Sequence, residues 1–246
     1  MPNIDAMATE VARRIMILFF IIDTSSSMMG DKISAVNNAI RETIPELKGM
    51  TNADAKIKIA VLDFASGAEW QSPQPIELEN FTWRDLQANG LTDLGEACEM
   101  LNEKLSRKAF MNNAVGNYAP AIVLISDGYP TDNYKKALDL LNKNNWFKQS
   151  IKVALAVGSD YDRSILAEFT GNNESVIEIH KKSMLMKIIK FVSVRASQIA
   201  SRSSIVSEEK DSDIPQKNQQ FIESLKDLED LNNISIDDID DDVVFP

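Results

Sequence analysis

Cysteine and histidine are almost absent from this sequence. Its 246 residues contain one of each, Cys98 and His180. A single cysteine excludes an internal disulfide and points to a reducing, cytoplasmic setting. With so few soft ligands, a zinc-type cluster of His and Cys is also excluded. No basic run appears and the formal net charge is −11, which argues against a general nucleic-acid binder. No apolar run approaches the length needed to cross a bilayer. Neither a phosphate-binding P-loop nor a G-x-S-x-G nucleophile elbow occurs.

What is present suits one α/β domain with a tail. Apolar residues make up 44% of the chain, enough for a sizeable core. Arg13-Arg14 followed by the apolar run 15–22 has the look of a signal peptide. The run is too short and no small-residue cleavage site follows, so a strand buried on both faces explains it better. Similar runs cover Ile57 to Phe64, Ala121 to Ser126 and Ile151 to Val157, with a weaker fifth from Ser175 to Ile179. Each is continuous rather than alternating, as expected of central parallel strands.

Helical stripes lie between the runs: Leu94, Ala97, Cys98, Leu101 and Leu105; Tyr134, Ala137, Leu138 and Leu141; and Leu185, Ile188, Ile189, Val192, Ala196 and Ile199. The alternation predicts a doubly wound, mostly parallel six-stranded sheet of order 3-2-1-4-5-6 with helices on both faces. Residues 66–80, with Trp70, Pro73 and Pro75, read as an antiparallel hairpin at one edge.

Charge divides the chain. Residues 203–246 hold 13 acidic and 3 basic side chains, and the remainder holds 24 and 23. The expected organisation is an N-terminal extension (1–10), a domain (11–202) and an acidic, largely disordered tail (203–246). Two places in the tail break its pattern. Phe221, Ile222, Leu225 and Leu228 share one side of a possible short helix, and Val243-Val244-Phe245 follows Asp240-Asp241-Asp242.

The chemistry concentrates at Asp23-x-Ser25-x-Ser27, where the first apolar run stops and a helical segment begins near Asp31. Ligand sites of open α/β sheets lie at the carboxyl ends of strands. Asp127 holds an equivalent place after Ala121 to Ser126, and Gly128 beside it permits a sharp turn. Thr92 opens a helix over 93–109 and offers a third hydroxyl. Asp and Ser also form ordinary turns and caps, so the triplet alone is a weak signal. The strand context, together with Thr92 and Asp127, gives it specificity.

All these groups are hard oxygen donors. Two carboxylates, three hydroxyls and water suit Mg²⁺, with Mn²⁺ or Ca²⁺ as substitutes. The carboxylates would neutralise the ion and leave it electrophilic toward an anionic oxygen from outside. Asp63 and Asp93 are read as supporting or capping residues, Asp132 as the cap of a helix from Asn133, Cys98 as core, and His180 as a surface or packing residue.

Asp23-Thr24-Ser25-Ser26-Ser27, Thr92 and Ser126-Asp127-Gly128 resemble the metal-ion-dependent adhesion site of von Willebrand factor A (VWA) domains, over roughly residues 11–202. Val61-Leu62-Asp63-Phe64, Leu91 to Ala97 and Asp127 to Asp132 are similar to the bacterial TerY-like branch, associated with tellurium resistance and with stress or defence genes. The resemblance implies a metal contacted by Ser25, Ser27 and Thr92, with Asp23 and Asp127 binding it directly or through water. It further implies a protein partner supplying an acidic group, with a kinase or PP2C-type phosphatase among the candidates, and no catalysis, nucleic acid or membrane. One departure is Gly90-Leu91 where the family usually has Gly-Gly, which implies a stiffer loop before Thr92. The alternatives are a Mg²⁺-dependent phosphotransfer enzyme, for which a second Asp at position 25 is missing, and a chelatase-like assembly subunit.

Overall fold

The computed structural model describes residues 14–49, 56–114, 116–179, 184–192, 194 and 223. The expectations for the 1–10 extension, His180, Ala196, Ile199 and the tail (Glu223 apart) lie outside the described residues.

The first apolar run becomes β1 (Ile15–Asp23), buried at every position after Ile15. It is the middle of the sheet. β2 (Lys56–Ala65) runs parallel on one side, pairing Ile22 with Asp63. β5 (Ala121–Ser126) runs parallel on the other, pairing Ile22 with Ile125. β6 (Ile151–Val157) and β7 (Val176–Ile179) follow outward, both parallel. The far edge is antiparallel: β3 (Gly67–Trp70) and β4 (Ile76–Glu77) both pair with β2. The main path runs β3-β2-β1-β5-β6-β7, the expected order. The segment 66–80, read as an antiparallel hairpin at one edge, is antiparallel and at the edge, but both of its strands pair with β2. β3 and β4 lie end to end along β2, both antiparallel to it, so they do not pair with each other; Pro73 and Pro75 fall between them, where the pairing with β2 is interrupted.

Strand alternation sends the apolar residues of β1 to two cores. Met16, Leu18, Phe20 and Ile22 face α1 (Asp31–Gly49), meeting Val36, Ile40 and Ile44, and the helical stretch 184–192 through Leu185 and Ile188. Ile17, Phe19 and Ile21 face the opposite layer, α2 (Leu94–Lys104), α3 (Tyr134–Leu141), α4 (Asn145–Gln149) and α5 (Arg163–Thr170). Burying each such side chain stabilises the fold by about 1.5–3 kcal/mol. This two-sided burial is why the strands read as unbroken apolar runs.

α2 is shorter than the expected 93–109. It ends at Lys104, after which tight turns bring Phe110 and Met111 back into the core. Phe110 packs edge-on against Trp70 at 5.1 Å and beside Phe19 at 6.3 Å. A straight helix to 109 would swing Phe110 away from that cluster. Among the described residues, no helix is long and apolar enough to cross a membrane.

Candidate metal site

The parallel register brings the ends of β1 and β5 side by side, so Asp23 and Asp127, 104 positions apart in sequence, meet at the carboxyl edge of the sheet. Asp23 is fully buried, Asp127 is 2% exposed and Ser25 1%. Carboxylates are seldom so deeply buried without a compensating partner.

Each oxygen of the pair is engaged. The Ser25 backbone N–H donates to Asp23 Oδ1 at 2.9 Å and Ser126 Oγ donates to Oδ2 at 2.6 Å. Ser25 Oγ and Ser27 Oγ share a hydrogen bond of 2.9 Å, and Ser27 Oγ donates to Asp127 Oδ1 at 2.9 Å. Asp127 Oδ2 receives Lys32 Nζ at 3.2 Å, the one ion pair of the site. Burial pushes the Asp23 carboxyl up to about 6, against the pull of the hydrogen bonds from Ser126 and Ser25.

Thr92 belongs to a third loop bound to the other two. Asn89 N–H donates to Thr24 O at 2.7 Å and Ser26 N–H to Gly90 O at 3.1 Å. Thr92 N–H donates to Thr131 Oγ1 and Thr131 N–H returns to Thr92 O, both at 2.9 Å. The connection 81–93 has no helix or strand of its own. It is anchored by Asn37 of α1, whose side chain accepts from Leu86 N–H at 2.8 Å and donates to Leu86 O at 2.9 Å. Gly90 adopts φ +85°, and a Cβ there would lie 2.6 Å from Ser66 Oγ. The next residue, Leu91, is 57% exposed. Gly128 turns the chain after Asp127 at φ +82°.

The supporting carboxylates have specific tasks. Asp93 Oδ2 accepts from Gly67 N–H at 2.8 Å and closes the turn between β2 and β3. Asp63 accepts from the Gln71 amide. Asp132 does not cap the helix that follows it. Its Oδ2 accepts from Gly95 N–H at 2.8 Å and Glu96 N–H at 3.3 Å, so it caps the neighbouring helix α2 from 37 residues away in sequence. The α2–α3 packing brings those otherwise unsatisfied N–H groups to its carboxylate. Cys98 is fully buried and its thiol is held well above the ordinary range by desolvation, an inert core position.

Asp23, Ser25, Ser27 and Asp127 thus converge, and Thr92 opens α2 on the loop bound to theirs. Ser126 and Thr131, which lie within the motif segments, complete the arrangement together with Lys32 and Asn37, which had no sequence signal of their own. No group of three or more His, Cys, Asp or Glu suited to a metal occurs among the described residues. The donor set is instead two carboxylates with hydroxyls, which fits a hard divalent cation.

The sequence matches the von Willebrand factor type A domain over residues 18–190, and the chain belongs to that family. Its fold is shared with the von Willebrand factor type A protein from Catenulispora acidiphila, with a TM-score of 0.55 and 16% identity, covering 74% of this chain and 43% of that one. Proximal thread matrix protein 1 from the mussel byssus, described with a zinc-occupied MIDAS motif, gives 0.53 and 19%, covering 75% and 46%. The conserved hypothetical protein BatB from Bacteroides thetaiotaomicron gives 0.52 and 14%, covering 74% and 99%. The chain therefore spans less than half the length of the first two, and nearly all of the third. No curated protein matches it.

Proposed function

We propose that this chain is a metal-dependent protein-binding module and not an enzyme. Asp23, Ser25, Ser27, Thr92 and Asp127 would hold a divalent cation, Mg²⁺ by the hardness of the donors, with Mn²⁺ or Ca²⁺ as substitutes. When bound, the cation supplies an electrophilic centre for an acidic side chain of the partner. The observation that carries this reading is the convergence of two buried carboxylates with serine hydroxyls at one sheet edge.

A protein partner is favoured over a small anion by the rim. Met29, Leu91 and Tyr129 are 60%, 57% and 48% exposed, one on each of the three loops. They are three of the four exposed large hydrophobic residues among those described, and such clustering marks an interaction surface. The TerY-like motifs suggest a cytoplasmic stress-response or defence setting, with a kinase or PP2C-type phosphatase as partner.

The test is capture of purified candidate kinases and PP2C-type phosphatases by the wild-type chain and by Asp23→Ala. Binding is expected in Mg²⁺ and absent in chelator or in the variant. Affinity unchanged by excess chelator refutes the reading. Phosphatase turnover that Asp23→Asn abolishes would establish the phosphotransfer alternative instead.

A further inference from the structure

Lys32 is out of place by ordinary rules. It occupies the second position of α1, where the helix dipole is positive and a cation is disfavoured. Its side chain is only 14% exposed, although lysine is among the residues least often buried. Among the described residues its one partner is Asp127, at 3.2 Å, and Asp127 is otherwise bound only by Ser27 Oγ. Asp23, 104 positions away and held by hydrogen bonds alone, has no cation. The ammonium is therefore placed against one carboxylate of a two-carboxylate site, the one nearer the exposed hydroxyl of Ser27.

We infer that Lys32 is an internal cation of the metal site, which neutralises Asp127 while no metal is bound and which an arriving metal must displace. The inference rests on the metal reading above. Two carboxylates and a divalent ion sum to zero. Adding Lys32 leaves the loaded site with a net positive charge, carried on a four-carbon stem that can turn toward the rim. The same residue thus weakens metal binding and strengthens the attraction of the loaded site for an acidic group. Occupancy by metal and by partner become linked, since a partner carboxylate that takes up the released ammonium removes the repulsion opposing the metal.

The experiment is calorimetric titration of the full chain with Mg²⁺ and Mn²⁺, comparing wild type, Lys32→Met and Lys32→Arg. Lys32→Met is expected to bind about tenfold more tightly, because one unit of nearby repulsion is removed. In chelator the same variant is expected to melt below wild type, since Asp127 loses its counter-charge, and the gap should close at saturating Mg²⁺. Lys32→Arg keeps the charge and should stay near wild type in both measurements. A folded Lys32→Met with wild-type or weaker metal affinity overturns the inference.

A second readout does not depend on that variant folding. Lysines of the wild-type chain are ¹³C-dimethylated, which preserves their charge, and the Lys32 resonance is assigned by its loss in Lys32→Arg. It should shift on adding Mg²⁺ and stay fixed in Asp23→Ala. A resonance that Mg²⁺ does not move also overturns the inference. The two readings separate cleanly. No metal binding by wild type ends the metal site itself, whereas binding that Asp23→Ala abolishes but Lys32→Met leaves unchanged ends only the role of Lys32.

Discussion

Two acidic places in this domain, linked in sequence where Asp127 is followed five residues later by Asp132, differ in kind. One is the sheet-edge site of Asp23 and Asp127. The other is a groove of about 420 Å³ between α2 and α3, lined by Glu96, Glu99, Glu103 and Asp132. The groove carries more carboxylates, yet its three glutamates lie on an exposed helix face, where water and salt satisfy them. The sheet edge carries fewer, but they are buried and already organised by hydroxyls and a backbone N–H. A cation at the edge would find donors whose desolvation cost was met during folding. In the groove it would have to order solvated side chains itself. Density of negative charge is therefore a poor guide to a metal site, and burial with prearranged neutral oxygens is a better one.

The largest expected effect breaks the comparison directly. Mg²⁺ at one hundred times its Kd should stabilise the wild-type chain by about 2.7 kcal/mol, a rise in Tm of roughly 5–10 °C. Asp23→Ala and Asp127→Ala should remain folded and lose that rise. The double variant Glu99→Gln, Glu103→Gln should keep it. Scanning fluorimetry with and without Mg²⁺ checks all three, and a groove variant that loses the shift would move the site to the groove.

The second effect is on pH dependence. Burial raises the Asp23 carboxyl from 3.8 to about 6. A raised folded value means that the contribution of this group to stability is fully present below pH 3.8 and is lost as the pH rises through about 6. The metal needs the ionised form, so the sign for binding is the reverse. Mg²⁺ affinity should be steady above about pH 7 and fall toward tenfold per unit below 6. Titrations at pH 5, 6, 7 and 8 measure this. A flat profile would remove Asp23 from the coordination.

Smaller effects sharpen the description of the groove as structural. A Cβ on Gly95 would lie 2.6 Å from Asp132 Oδ2 and 3.0 Å from Tyr134 Cα. Gly95→Ala should therefore cost about 1–3 kcal/mol, read by urea denaturation. Asp132→Ala removes the cap of α2 and should cost about 1 kcal/mol by the same measurement. Glu99→Gln alone should change stability by less than about 0.5 kcal/mol, as befits a solvated surface group.

The amino-acid order by itself determined the architecture and the nominal donors. Unbroken apolar runs 15–22 and 121–126 can be buried only between two helical layers, and the carboxyl ends of such strands are where Asp23, Ser25, Ser27 and Asp127 stand. That reading uses only near neighbours in the chain, and near neighbours are what a sequence shows. Tertiary structure decided the rest, because each remaining contact joins distant positions. Lys32 meets Asp127 across 95 residues, Ser126 meets Asp23 across 103, and Asn37 holds the loop before Thr92 across 49. Asp132 shows why such pairings escape inspection. Standing immediately before Asn133, it has every local mark of a cap for α3, but layer packing brings the bare start of α2 to its oxygen across 37 residues. A carboxylate binds the unsatisfied N–H group that folding delivers to it, and only the assembled layers specify which one that is.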